Sequence, residues 1–250
     1  MTRHGCQRLE IQTETVPIAE PWDGRLPSRV RGAQVRDFGA VARQYDAHES
    51  GQTERCAMAL LIVGLALFVG VHLVTTQPDL RRGLAARLGE GAYKGVYSLV
   101  ALGGFALIVL GYHKLQVMPG KNPVLWSPPY WGRHVTMLLM LPVFPLLAAT
   151  YLPGRISGVV RHPMLTAMKF WALAHLFVRG DAASLLLFGG LLAWAVYDRV
   201  SLKQREATGL VRIRSGPGRN DVIALVLGLV AYALFLKWGH AALIGVPLMA

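Results

Sequence analysis

Residues 58–74 read MALLIVGLALFVGVHLV, a near-continuous apolar run whose only ionisable side chain is that of His72. Such a run approaches the ~20 residues that cross ~30 Å of hydrocarbon at a rise of 1.5 Å per residue. The whole chain is 53% hydrophobic and only 16% charged, which is more apolar than a soluble domain needs to be. Six runs of this kind are found, at 57–75, 95–113, 132–152, 163–179, 182–198 and 221–248. The sequence therefore predicts an all-α fold, a polytopic integral membrane helical bundle of about six transmembrane helices, with a five-helix core and a C-terminal span.

The first 57 residues differ in kind from the rest. Residues 1–56 carry eight basic and eight acidic side chains, so the net charge of +12 belongs to the remainder and indicates membrane loops rather than a nucleic-acid-binding arm. This segment has no apolar stretch of the secretory type and is interpreted as a polar, disordered tail, with translation from Met58 as the alternative. We assign 58–205 to the membrane core, 206–220 to a flexible cytoplasmic connection and 221–250 to the last span.

Loop charges predict the orientation. The first, third and fifth loops together hold twelve Lys and Arg residues, whereas the second and fourth hold four. The positive-inside rule then places the odd loops in the cytoplasm and both termini outside.

Histidines and one acidic residue are the candidate functional groups. With this topology His72, His162 and Asp198 lie near the cytoplasmic surface, and Arg161-His162-Pro163 opens the fourth helix with proline in its first turn. Arg161 also has the character of an interfacial anchor. His175 lies 13 residues beyond His162 in the sequence, about 20 Å along a helix, so one iron could not take both. Ionisable groups at these depths are functional candidates by default.

Several ordered stretches carry a family resemblance. They are LGEGAYKGVYSLVALGG (88–104), VLWSPPYW (124–131), AATYLPGRISGVVRHPMLTAMKFWALAHLF (148–177) and DAASLLLFGGLLAWAVYDRVSLKQR (181–205), together with the run that begins at Met58. In this order they resemble the NnrU family of membrane proteins. The resemblance implies an inner-membrane protein linked to denitrification and nitric oxide metabolism, in a superfamily that includes the haem b enzyme 15-cis-zeta-carotene isomerase.

The resemblance also implies a cofactor. The family's recurrent histidines correspond to His72, His162 and His175, and its acidic position corresponds to Asp198. The depth argument favours His72 and His162 as a pair of haem b iron ligands, with Asp198 or a backbone carbonyl orienting the second ring nitrogen and Arg161 beside them.

Three other functions stay open. One is an isomerase that acts on an apolar polyene, and another is a non-enzymatic factor that helps a respiratory reductase to mature. A membrane methyltransferase of the isoprenylcysteine type also opens a helix with Arg-His-Pro, but it needs a later glutamate pair, and here only Glu206 follows. The partners expected from these functions are the lipid bilayer and either a denitrification reductase or an apolar polyene. No nucleic-acid partner is expected.

Overall fold

The computed structural model describes the backbone of residues 34–117, 122–244 and 248, and the side chains of residues 55–117, 122–242 and 248. Contacts divide the chain into two units, Met1–Cys56 and Ala57–Ala250. The prediction of a polar tail falls partly on residues 1–33, which lie outside the described residues. From Gln34 to its end, the rest of that tail has a helical backbone.

The described residues are mainly helical, and regular strands are absent from them. The helices are α1 (Gln34–Thr76), α2 (Pro78–Leu88), α3 (Glu90–Val117), α4 (Gly132–Met140), α5 (Val143–Tyr151), α6 (Arg155–Val160), α7 (Pro163–Leu176), α8 (Ala182–Ser184), α9 (Gly190–Ala207), α10 (Gly218–Leu234) and α11 (His240–Ile244). Two π-helical turns, Leu185–Gly189 and Phe235–Gly239, join α8 to α9 and α10 to α11.

Five segments of the described chain are long and apolar enough to cross a membrane. They are Arg55–Thr76, Glu90–Val117, Gly132–Tyr151, Ala182–Ala207 and Gly218–Ala242. This confirms the polytopic all-α fold. The remaining run that the sequence indicated, 163–179, forms α7 with 14 residues, or about 21 Å at 1.5 Å per residue, which is less than a hydrocarbon core.

Helix α7 nevertheless connects two opposite ends of the bundle. At its start, His162 contacts Glu206 near the end of α9. Beyond its end, Arg179 contacts Gln116 near the end of α3. We call these the Glu206 end and the Asp181 end, after the carboxylate at the centre of each. The polar side-chain contacts around Glu206 and those around Asp181 therefore lie at opposite ends of α7.

The core lies where α1, α3, α7 and α9 meet. Leu61 and Leu115 are fully or almost fully buried there, beside Phe188. Close approach of α1 and α3 depends on glycine, because a Cβ atom added at Gly104 would lie 2.8 Å from the backbone nitrogen of Phe68. A larger residue would push the helices apart at the level of the functional groups described below.

The C-terminal span packs on the core. The backbone N–H groups of Arg155 and Ile156, at the start of α6, donate to the carboxylate of Asp221 in the first turn of α10, at 2.9 and 3.0 Å. The Asn220 side-chain amide donates to the carbonyl of Pro153 at 2.8 Å. The predicted flexible connection 206–220 is therefore anchored at its far end, and the last span is held against α5 and α6.

The Asp181 end is closed by an extended segment. The backbone N–H groups of Leu125 and Trp126 donate to the carbonyl of Gly180, and the N–H of Ala182 donates to that of Pro123. The Asp181 carboxylate caps α8 by accepting the N–H of Ser184 at 2.9 Å. These bonds fix the segment that links α3 to α4 onto the start of α8.

Candidate functional site

Arg161 and His162 form a strained turn between α6 and α7. Arg161 has φ 67° and ψ −51°, and it is the one non-glycine residue with positive φ among those described. The N–H of His162 donates to the carbonyl of Val160 at 2.8 Å, which closes a three-residue γ-turn of the rare form. Backbone of this kind costs about 1–3 kcal/mol and persists where surrounding contacts hold it. Pro163 then begins α7, as the sequence indicated.

Glu206 is the contact that holds this turn. Its Oε1 lies 2.5 Å from Nε2 of His162 and 3.2 Å from Nη1 of Arg199, and its Oε2 lies 2.6 Å from Nη1 of Arg161. The Glu206 side chain is only 8% exposed, whereas that of Arg161 is 49% exposed. A buried carboxylate therefore receives three donors from two separate segments of the chain.

Asp198 has a different partner from the one that the sequence suggested. Its Oδ1 accepts from Nη2 of Arg205 at 2.9 Å, and both side chains are mostly buried. Nη1 of the same arginine donates to the carbonyl of Thr75 at 3.1 Å, near the end of α1. The predicted role of Asp198 as an orienter of imidazole stays a prediction, but its hydrogen bond goes to the guanidinium group of Arg205.

His72 sits in an aromatic setting close to the same end. Its Nδ1 donates to the carbonyl of Phe68 at 2.6 Å. Its ring centroid lies 4.3 Å from that of Phe68, 5.6 Å from Tyr97 and 5.3 Å from Trp194. The hydrogen bond fixes the ring and leaves Nε2 with no hydrogen bond to any described residue. That is the arrangement of a histidine prepared to ligate through Nε2.

Three buried side-chain atoms lack a hydrogen-bond partner among the described residues, and two of them belong to the aromatic cluster around His72. They are the hydroxyl of Tyr93, Nε1 of Trp194 and Nε of Arg205. Tyr93 is 7% exposed and adjoins Tyr97, and Trp194 contacts His72 directly. Because buried donors without acceptors are costly, water or the acceptor oxygens of a ligand are expected there.

His175 lies away from the Glu206 end. Its Nδ1 donates to the carbonyl of Trp171 at 2.8 Å, and its ring stacks on Phe188 with centroids 4.6 Å apart. The structure thus gives His72, His162 and His175 three different sets of neighbours.

Within the described ranges, no three His, Cys, Asp or Glu side chains are grouped so that they could hold a metal ion. Haem needs only one or two imidazoles, so the fit must be judged from the histidines themselves. His72 fits as a ligand, since its Nε2 is available and donors for acceptor oxygens lie nearby. His162 offers Nε2 only if Glu206 releases it, so the predicted His72–His162 pair stays a prediction.

A cleft of about 520 Å³ opens beside this region. It lies between the end of α1, the start of α2 and a face of α9 that includes Tyr197, Ser201 and Gln204. The Ser201 hydroxyl donates to the carbonyl of Thr76 at 3.0 Å in its wall. Histidines do not line this cleft, so it is separate from the ring of His72 and from the Glu206 contacts.

Sequence reasoning missed Glu206 as a site residue. It entered only as the single glutamate that follows Arg-His-Pro, 44 positions after His162. That separation carries no periodic signal, because it depends on how α9 packs against the start of α7. The one available clue was that Glu206 is the single acidic residue in 199–220, a stretch with six Lys and Arg residues.

Comparison with known families gives a match over most of the chain. A family model described as NnrU protein matches residues 60–248. Curated proteins and solved structures gave no match.

Proposed function

Since the chain belongs to the NnrU family, we propose that it works at the inner membrane in denitrification and nitric oxide metabolism, and that it binds haem b through His72. The family match and the five candidate membrane spans support the setting. The proposed orientation keeps the odd loops, and with them the Glu206 end, in the cytoplasm.

The free Nε2 of His72 is the observation that carries the cofactor. Its Nδ1–H bond to Phe68 fixes the tautomer, so Nε2 is the nitrogen available to iron. Trp194 and Tyr93 supply donors for acceptor oxygens of the bound group, and the rings of Tyr97 and Trp194 lie against that of His72. When bound, haem would supply a redox-active iron centre that the side chains of this protein do not provide.

His162 has a different part in this proposal. Its Nε2 is engaged by Glu206, so it is not the first ligand, and it belongs to the polar cluster around that carboxylate. Asp198 keeps Arg205 in place through their ion pair. This arrangement makes the effects of removing His72 and His162 unequal, which an experiment can detect.

Reduced-minus-oxidised visible spectra of the detergent-purified protein from haem-replete cells test the cofactor. We expect a Soret band that His72→Ala abolishes and His162→Ala reduces by much less. His113→Ala is the matched control, since His113 is an exposed histidine on α3, and it should retain the parent spectrum. A parent protein without a Soret band would refute haem binding, and equal loss in both variants would restore the paired-ligand hypothesis.

A strain without the protein tests the biological setting. We expect slower removal of nitric oxide, restored by the parent gene and not by His72→Ala. If the reductase polypeptide is made but inactive in that strain, the assembly-factor alternative explains the phenotype instead. If nitric oxide removal is unchanged, the link to denitrification is wrong.

A further inference from the structure

The carboxylate of Glu206 is held in the way that proteins hold an anionic ligand. One oxygen receives His162 and Arg199, and the other receives Arg161 at 2.6 Å. Guanidinium groups are suited to this task because their planar forks match carboxylate and phosphate oxygens. The donor set would accept any group with two or three anionic oxygens in the place of the Glu206 carboxylate.

Charge at this position is not balanced. Two guanidinium groups, those of Arg161 and Arg199, share the single carboxylate of Glu206. The neighbouring carboxylate of Asp198 is taken by Arg205. An excess of one positive charge therefore remains even with neutral imidazole, and it favours a further anion or a more highly charged one.

The backbone holds the donors in position for such an anion. The γ-turn at Arg161 directs consecutive side chains, Arg161 and His162, to the same carboxylate. Strained backbone at a non-glycine residue is found preferentially at ligand clamps and switches. Joining α6 to α7 does not by itself require such a strained turn, which is consistent with a role in ligand binding.

Exchange of the internal anion requires only a local movement. Glu206 lies in the last turn of α9, which ends at Ala207 and is followed by Gly209 with φ 73°. Arg161 is half exposed, so an incoming group can meet it before Glu206 leaves. The terminal turn of a helix opens at lower cost than its interior.

We propose that Arg161, His162 and Arg199 form an anion-binding site for a phosphate or carboxylate group, and that Glu206 occupies this site in the ligand-free protein. The ligand is either the headgroup of an anionic lipid or a soluble anion, which share this chemistry. This site is separate from His72 and does not depend on haem.

Titration of the full-length protein with inorganic phosphate tests the site, in nanodiscs of phosphatidylcholine only. Glu206→Gln removes the internal charge and keeps a similar shape, so it should bind phosphate at least tenfold more tightly than the parent. Adding Arg161→Gln to that variant should abolish the gain. Glu90→Gln removes an exposed carboxylate that pairs with Arg81 and should behave like the parent.

Two results would overturn the proposal. Equal phosphate affinity in the parent and in Glu206→Gln would show that the carboxylate blocks nothing, and a gain that survives Arg161→Gln would reveal an adventitious ion only. If Glu206→Gln fails to fold, Arg161→Gln alone provides the test, because Arg161 is half exposed and its loss should weaken phosphate binding by the parent about tenfold. Unchanged affinity in that variant would refute the site.

Lipid and soluble ligands are separated by a second preparation. In discs that contain phosphatidylglycerol, a lipid ligand predicts that native mass spectrometry detects a retained phosphatidylglycerol on Glu206→Gln and not on its Arg161→Gln double variant. If both variants retain the same amount of phosphatidylglycerol while Glu206→Gln still binds phosphate, the ligand is a soluble anion.

Discussion

Replacement of Asp181 by alanine should unfold the Asp181 end of the bundle before any other part. The carboxylate accepts four hydrogen bonds, from Gln116 (3.1 Å), Asn122 (2.6 Å), the Ser184 backbone (2.9 Å) and the Ser184 hydroxyl (2.7 Å). The Ser184 hydroxyl also pairs with the hydroxyl of Tyr112 at 2.9 Å. One side chain therefore connects α3, the segment before α4 and the start of α8.

The loss of stability in Asp181→Ala depends on which of these donors can bond to water instead. Ser184 is fully buried, so its N–H finds no substitute when the carboxylate is removed, and its hydroxyl is left with the neutral hydroxyl of Tyr112 in place of a charged acceptor. Hydrogen bonds to a charged acceptor contribute about 1.5–3 kcal/mol each, and the amides of Gln116 and Asn122 can turn partly to water. Taking the lower value for the two Ser184 bonds alone gives a loss of about 3 kcal/mol in the free energy of unfolding. Asp181→Asn keeps one acceptor oxygen and should lose about half of that.

Unfolding in mixed micelles of increasing SDS fraction, followed by tryptophan fluorescence, measures this loss. The matched control is Asp79→Ala, which removes an aspartate from the first turn of α2 that is 90% exposed and pairs with Arg82. Such an exposed pair contributes little, so the control should stay within about 0.5 kcal/mol of the parent. A loss below about 1 kcal/mol for Asp181→Ala would refute the assignment of Asp181 as the centre of this end.

The pH dependence of stability provides a second check on Asp181. Burial alone would raise the pKa of this carboxyl, but hydrogen bonds from Ser184, Asn122 and Gln116 outweigh burial and hold the pKa below its usual value. A group whose pKa is lower in the folded state stabilises the protein above its unfolded pKa, and that contribution is lost as pH falls through the folded pKa. We expect the parent to lose stability below about pH 4 and Asp181→Asn to lack this component.

Two further substitutions test the packing and the buried ion pair. Gly104→Ala should lower the free energy of unfolding by about 1–3 kcal/mol, because its Cβ would meet the backbone of α1. The control is Gly103→Ala, which should be neutral because a Cβ there meets nothing within 4 Å. Equal effects of the two substitutions would disprove close packing of α1 on α3. Asp198→Ala leaves a mostly buried Arg205 without its carboxylate and should lower the free energy of unfolding by about 3 kcal/mol. Adding Arg205→Met to that variant should restore part of this loss. If the double variant recovers nothing, the ion pair is not the source of the loss.

Helix location was predictable from the sequence because it depends on hydrophobic runs alone. The run 58–74 and the four other long runs match helices that could span a membrane. The shortness of α7 was not predictable in the same way, since the apolar residues at 177–178 continue its pattern while the backbone has already turned at Phe177. Hydropathy reports the environment of a segment and does not fix where its helix ends.

The site was predictable in part, and the reason lies in sequence distance. His72, His162 and Asp198 were chosen by depth, which the order of the apolar runs along the chain determines approximately. Which of them touch depends on helix rotation and on partners far along the chain. Glu206 binds His162 from 44 positions away, and Arg205 takes Asp198 from seven positions away on the same helix. The first pairing leaves no trace in periodicity, whereas the second joins residues two helical turns apart, which lie on one face of α9.

Asp198 also explains how two separate sites can influence one another. Its carboxylate lies within electrostatic reach of both His72 and His162, although its hydrogen bond goes to Arg205. Charge placed at either histidine acts on the Asp198–Arg205 pair, and Arg205 is bonded in turn to the carbonyl of Thr75 at the end of α1, the helix that carries His72. A change at the anion site would thus reach His72 through the Asp198–Arg205 ion pair and the bond from Arg205 to Thr75. The two sites can be distinct in their ligands and still be coupled in their charge.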